Sequence, residues 1–295
     1  MALGSLCGSG TLGILIPPSI VMIVYAVASD VSVIRMFIAG IIPALVVLVL
    51  FSGYIILWSL RHPDRIPPEP DDRSFWERVR ATSALIPVVL LIAFVFLSMV
   101  TGVATANEAS AFGVLGALLI AWWGRSLTWQ TFTASLSGAL RLSGMIMFIL
   151  GASAFLTVAM GFTGIPKAAS EWVAALNLSP YTLILVLTVV YLVMGCFLDG
   201  VSMIVLTTAV VLPMVERAGF DPIWFGCYIV LMIELAQVTP PVGFNLFVLQ
   251  GMSGRPILFI AKAAIPFALL LVLATVLLVV FPGMATWLPS VVMGK

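Results

Sequence analysis

Apolar runs long enough to cross a bilayer alternate with short polar connections along the whole chain. Val33 to Leu60, Ala84 to Thr101, Glu108 to Trp123, Leu142 to Met160 and Ile257 to Phe281 are predicted helices, because in lipid a helix satisfies its own backbone polar groups. Pro222 to Gln250 is also long enough, but Pro240-Pro241 interrupts it near the middle. Pro17-Pro18 breaks the segment before Tyr25 in the same way, and that segment looks cut short at its start. Two further stretches, Tyr181 to Leu198 and Val201 to Val215, meet at Asp199-Gly200. The second would be only about 22 Å long as a helix, against a hydrocarbon core of roughly 30 Å. The pair therefore reads as a re-entrant hairpin with Asp199-Gly200 at its tip.

The resulting map has a first broken helix (1–32), an arm or scaffold helix (33–60), a hydrophilic loop (61–83) and three membrane helices (84–160). An external connection (161–179) leads to the hairpin (180–217), the second broken helix (222–252), a second arm or scaffold helix (257–282) and a tail (283–295).

The two interruptions form a repeat. Pro17, Pro18 and Pro43 are each separated by 223 residues from Pro240, Pro241 and Pro266, so Ile16 to Pro43 lies over Thr239 to Pro266 without a gap. Interrupted helices at corresponding positions of two repeats point to an ion and substrate site at the bilayer midplane, as in secondary transporters. Five crossings between Pro43 and Pro266 would invert the second repeat, whereas two full crossings at 181–215 would make the repeats parallel. Placing the loop after Leu60 in the cytoplasm leaves only Arg35, Lys167, Arg217 and Lys295 of the 13 basic residues outside, as the positive-inside rule prefers. The hairpin then enters from the outer face, and the C-terminus lies outside.

Composition agrees with a polytopic membrane protein. Of 295 residues 62% are hydrophobic and 8% charged, and mean hydropathy is +1.24. A net charge of +1 gives no basic excess for nucleic acid. Cys7, Cys196 and Cys227 are scattered in apolar sequence and read as small buried hydrophobes. No removable signal peptide is evident. Gly251-Met-Ser-Gly254 matches an intramembrane serine protease motif, but His62, the single histidine, sits in the hydrophilic loop. No Walker loop, His-Glu-x-x-His or cysteine-rich metal spacing is present, and Asp199 lacks a credible second carboxylate. An enzyme is not expected.

At the second break, Pro240 and Pro241 deprive the carbonyls of Ala236 and Gln237 of their helical partners. These oxygens lie at the negative end of a half-helix and favour a monovalent cation such as sodium. Thr239 is expected to cap the next half-helix, with Gly243 allowing close approach; a carboxylate would dock at that positive end. At the first break the freed carbonyls are those of Gly13 and Ile14, before Pro17, with Ser19 just after. A plain kink is the alternative at either position. Asp199 would place a carboxylate at membrane depth, where ionisable groups usually serve a function. Gly195, Gly200 and Ser202 suit a tight turn whose oxygens join it; the alternative is an ordinary helical pair with Asp199 solvated in a loop.

Thr105 and Glu108 have capping-box spacing. Glu234 would bind a cation or pair with a buried base. Arg141, Glu216, Arg217 and Lys262 fall near helix ends and would snorkel or cap. Trp122, Trp123, Trp129, Trp172, Trp224 and Trp287 are expected at the membrane interfaces.

Gly10-Thr-Leu-Gly-Ile-Leu-Ile-Pro-Pro-Ser19, Ala39-Gly-Ile-Ile-Pro43, Gly102-Val-Ala-Thr-Ala-Asn-Glu-Ala109, Phe197-Leu-Asp199, Gly219-Phe-Asp-Pro222 and Thr239-Pro-Pro-Val-Gly-Phe-Asn245 together resemble the large membrane subunit of TRAP transporters. This is the tripartite ATP-independent periplasmic family of the ion transporter superfamily. The resemblance implies an all-α fold of inverted repeats with broken helices and a re-entrant hairpin, in the bacterial inner membrane. It implies a sodium-coupled elevator that imports carboxylates such as C4-dicarboxylates or sialic acids, with sodium as coupling ion and no other cofactor. Its implied partners are a small membrane subunit and a periplasmic substrate-binding protein. One sodium site would be formed by Gly195, Asp199, Ser202, Ala236, Gln237, Thr239 and Gly243, with substrate near Thr239, Pro240 and Asn245. A second, at Gly13, Ile14, Pro17 and Ser19, would be incomplete, because the family carries further helices and a first hairpin before Gly10. The family usually has proline where Ala106 stands. A transporter of the same superfamily that works without a binding protein, or a channel or structural subunit, is the alternative.

Overall fold

The computed structural model describes residues 1–65, 74, 76, 77, 82–164, 167, 168, 171, 172, 175, 176, 178–240 and 243–294. Pro241 of the second break, the loop residues Pro67, Pro68, Pro70, Arg73, Arg78 and Arg80, and Lys295 lie outside the described residues. Among the described residues every regular element is helical. Besides two short 3-10 turns, Pro63–Arg65 and Ser83–Leu85, the helices in order are α1 (Ala2–Leu15), α2 (Ile20–Ala28), α3 (Val33–Arg61), α4 (Ile86–Val100), α5 (Ala106–Trp123) and α6 (Trp129–Thr163). There follow α7 (Pro180–Gly195), α8 (Gly200–Arg217), α9 (Pro222–Val238), α10 (Phe244–Ser253), α11 (Ile257–Val280) and α12 (Gly283–Met293). By length and composition α3, α6, α8 and α11 are apolar enough to cross a membrane, and α1 with α2, bent by 43°, counts as a fifth span if taken together.

Two expected boundaries are corrected. Leu142 to Met160 is only the apolar part of α6, which begins at Trp129. Residues 129–141 are more polar but contain no proline and a single glycine, Gly138, so nothing stops the helix there. The stretch read as a tail is largely helix α12.

Residues Met1–Leu57 and Ile146–Lys295 form one compact unit, and Trp58–Met145 another. In the smaller unit α4 packs against α5, with Phe94 and Phe112 6.0 Å apart between ring centroids. The expected capping box starts α5: Glu108 N–H donates to Thr105 Oγ1 at 3.3 Å, and Thr105 N–H donates to Glu108 Oε2 at 2.8 Å. His62 directly follows α3 and stacks on Trp58.

The larger unit holds both repeats. Leu15 and Val238, which end α1 and α9, are 223 apart, and Pro43 and Pro266 lie inside the corresponding helices α3 and α11. The Tyr25 hydroxyl, late in the first broken helix, donates to the Pro222 carbonyl at the start of the second, at 2.6 Å. The Asn245 amide, late in the second, donates to the Cys7 carbonyl, early in the first, at 3.2 Å. Late residues of each meet early residues of the other, so the broken helices run antiparallel, the relation that an odd number of crossings predicts.

The centre of this unit is α9. It is apolar on all sides, and Trp224 to Ala236 are buried without interruption. In lipid, close packing and interhelical hydrogen bonds specify such contacts more than burial does. Tyr228 pairs its hydroxyl with Thr188 of α7 at 2.8 Å, and Tyr191 of α7 pairs with Thr207 of α8 at 2.9 Å. Each such bond contributes on the order of 0.6 kcal/mol. Trp224, expected at an interface, is instead fully buried: it stacks between Phe220 and Tyr228 and donates its indole N–H to the Leu278 carbonyl at 3.0 Å. Trp122, Trp123, Trp129, Trp172 and Trp287 are exposed. Cys7 and Cys227 are buried as expected, whereas Cys196 is half-buried at the hairpin tip.

Candidate cation and substrate site

Helix α1 ends at Leu15 and α9 at Val238, just before the two proline pairs. In the first, Ile16 is extended (φ −80°, ψ 122°), Pro17-Pro18 is cis, and Ser19 starts α2 by accepting from the Met22 N–H at 3.4 Å. The Ser19 hydroxyl also donates to the Ile14 carbonyl. One of the two oxygens expected to be free is therefore taken, and Gly13 alone keeps an acceptor stripped of its amide partner by Pro17.

The second break is built differently. Thr239 is extended (φ −100°, ψ 137°), and its hydroxyl turns back to the Leu235 carbonyl at 2.9 Å and the Ala236 carbonyl at 3.4 Å. The expectation that Thr239 caps the next half-helix is corrected: Gly243 occupies the cap position of α10 and has no side chain to cap with. Gly243 is required there. A Cβ at this position would stand 2.8 Å from the Thr239 oxygen and 3.0 Å from the Gln237 oxygen, at φ +20°. Two carbonyls thus converge on a space that only glycine leaves open.

The hairpin tip seats on the last turns of α9. A Cβ on Gly195 would meet the Ala236 Cβ at 2.2 Å, and one on Gly200 would meet Ile233 Cγ2 at 2.6 Å. At 18 residues α8 is longer than expected, roughly 27 Å. Gly200 is buried in this contact, whereas Phe197 and Asp199 at the tip are exposed. Asp199 caps α8, its Oδ2 accepting from Val201 N–H at 3.0 Å and Ser202 N–H at 3.3 Å, while the Ser202 hydroxyl donates to Oδ1. A carboxylate offers about four lone-pair positions, so one on Oδ1 stays open.

Gly195, Asp199, Ala236 and Gln237 line one cavity of about 410 Å³, together with Val21 of α2 and Phe244 of α10. Among the described residues that line it, Asp199 alone is charged. The C-terminal end of α9 and the start of α10 both border it, so a negative and a positive helix end adjoin. Ser202, Thr239, Gly243, Pro240 and Asn245 are not among its lining residues, nor are Gly13, Ile14, Pro17 and Ser19. Asn245 is committed to the Cys7 carbonyl. Among the described residues Glu234 meets no base, contrary to one of the two expectations for it: it is fully buried and neither carboxylate oxygen has a hydrogen-bond partner there. Val21 and Phe244 were missed because apolar side chains beside a break carry no chemical signature in sequence.

The family model described as "Tripartite ATP-independent periplasmic transporter, DctM component" matches residues 1–284. The chain is 30% identical over 288 residues to the C4-dicarboxylate TRAP transporter large permease protein DctM of Pseudomonas aeruginosa, covering 97% of this chain and 67% of that protein. It is 31% identical over 316 residues to the same-named protein of Vibrio cholerae, with 99% and 69% covered. It is also 31% identical over 292 residues to the ectoine TRAP transporter large permease protein TeaC of Halomonas elongata, with 97% and 67% covered. With a family match across nearly its full length and relatives named as permeases, the chain belongs to the DctM family of TRAP transporter large permeases, a multi-pass membrane transport subunit and not an enzyme.

Proposed function

We propose that this subunit imports carboxylate substrates by sodium-coupled secondary transport, receiving them from a periplasmic binding protein and working with a small membrane subunit. The carrying observation is the cavity where the Asp199 carboxylate and the stranded end of α9 meet the uncapped start of α10. Asp199 with Ser202, the Gly195 backbone at the tip, and the carbonyls of Ala236, Gln237 and Thr239 beside Gly243 would hold sodium, which supplies a positive charge next to the substrate. These are oxygen donors, and no basic side chain lines the cavity, which suits a hard cation. The free amides at the start of α10, around Phe244 and Asn245, suit a carboxylate. The names of the relatives, C4-dicarboxylate and ectoine permeases, agree with small substrates that carry a carboxylate.

The interlocked hairpin and second broken helix suit an elevator, in which one body carries the site across the membrane. Uptake of labelled C4-dicarboxylate into proteoliposomes containing the chain, its small membrane subunit and the binding protein tests this reading. Uptake should follow an inward sodium gradient and be lost in Asp199→Ala; sodium-independent uptake by the wild type would overturn it.

A further inference from the structure

A second cavity lies at the other end of α9. It measures about 440 Å³ and is lined by Arg35 at the start of α3, Asp221 at the cap of α9, and Thr286, Trp287 and Ser290 of α12. Arg35 uses one guanidinium N–H, donated from Nη2 to the Gly294 carbonyl at 3.1 Å. Among the described residues its other guanidinium donors have no partner, and no carboxylate lies within ion-pair distance of it. Asp221 spends Oδ1 on the N–H groups of Ile223 at 2.7 Å and Trp224 at 3.4 Å, and its Oδ2 accepts nothing from the described residues. One cavity thus presents a cation and an anion that are not paired with each other.

Where they sit narrows the occupant. The cavity is at the ends of the membrane-crossing helices α3 and α11, on the side where Arg35 is one of the few basic residues that the charge distribution leaves outside. Trp287 at its wall is 58% exposed, as a ring at the headgroup level would be. Phe281, just before α12, and Val291 and Val292 within it expose apolar surface on which an acyl chain can lie.

We propose that this cavity binds the headgroup of a zwitterionic phospholipid with a primary ammonium, phosphatidylethanolamine in chemical class. Arg35 takes the phosphate, a group that a guanidinium forks. Asp221 Oδ2 takes the ammonium, which donates hydrogen bonds where the quaternary group of choline cannot. The lipid then pins α12 across the starts of α3 and α9. This site stands apart from the transport cavity and does not depend on the sodium reading.

The test is the melting temperature of the detergent-purified full chain with added phosphatidylethanolamine, phosphatidylcholine or phosphatidylglycerol, for the wild type, Asp221→Asn and Arg35→Gln. Asparagine is as good a helix cap as aspartate, so Asp221→Asn keeps the start of α9 and removes only the charge. Phosphatidylethanolamine should stabilise the wild type more than the other two lipids do. Asp221→Asn should lose that preference while still responding to lipid, and Arg35→Gln should lose the response. Equal responses to all three lipids in the wild type, or an unchanged preference in Asp221→Asn, overturn the proposal. An equal shift from water-soluble glycerophosphoethanolamine overturns the lipid assignment in favour of a small solute. If either variant fails to fold, phosphatidylethanolamine retained by the wild type through delipidation, read by native mass spectrometry against phosphatidylcholine, decides: no enrichment contradicts the proposal.

Discussion

Gly195 and Ala236 approach so closely that a Cβ on Gly195 would lie 2.2 Å from the Cβ of Ala236. The hairpin tip is thereby keyed to the last turn of α9 before the break. Gly195→Ala should destabilise the protein by about 1–3 kcal/mol through overpacking. Adding Ala236→Gly should restore most of that, because the two methyls compete for one space. A double-mutant cycle on melting temperature reads the coupling; additive effects would show that the tip is not seated there.

Gly243→Ala drives a methyl between the carbonyls of Thr239 and Gln237. The expected result is a stability loss of about 1–3 kcal/mol from the displaced backbone, with sodium response lost beyond it. A variant that melts like the wild type and keeps its sodium response would remove these carbonyls from the site.

Much of this architecture was legible in the proline pattern. Two proline pairs in register and Pro43 against Pro266 predicted the repeat: tandem prolines withhold two successive amides and break a helix, whereas the single Pro43 and Pro266 are accommodated inside α3 and α11. The asymmetry between the breaks was not legible. Ser19 both takes back the Ile14 carbonyl and starts α2, whereas Thr239 turns only backward, to the Leu235 and Ala236 carbonyls, and leaves Gly243 as the cap of α10. Which way a hydroxyl turns depends on backbone angles that neighbouring helices set. Trp224 misled for a related reason: indoles favour membrane interfaces, but its N–H found the Leu278 carbonyl inside the protein. Asp199 was found by its charge, and its capping of α8 followed from the local turn rather than from anything distant.

Asn245 carries a tether rather than lining the cavity. Asn245→Ala should lower stability by roughly 1 kcal/mol, the net value of a typical hydrogen bond, and leave the KM for dicarboxylate uptake unchanged. A large rise in KM without loss of stability would return the side chain to the substrate site.

Glu234 has two buried oxygens with no partner, each a liability for the fold. Glu234→Met replaces them by apolar atoms of similar volume and should raise the melting temperature, since unsatisfied buried polar groups cost about 1–3 kcal/mol each. If transport falls at the same time, the carboxylate is retained for function at the expense of stability. A lower melting temperature would show that Glu234 is satisfied in the membrane by a group outside this chain.

The most direct measurement of the central claim, that a cation sits between the hairpin tip and the second break, is the sodium dependence of melting in Asp199→Asn. Asparagine keeps the cap of α8 and removes the charge, so without sodium the variant should melt close to the wild type. Sodium in place of a large organic cation should then raise the wild-type melting temperature and leave that of Asp199→Asn unmoved. Equal sodium shifts in the two proteins would contradict the account.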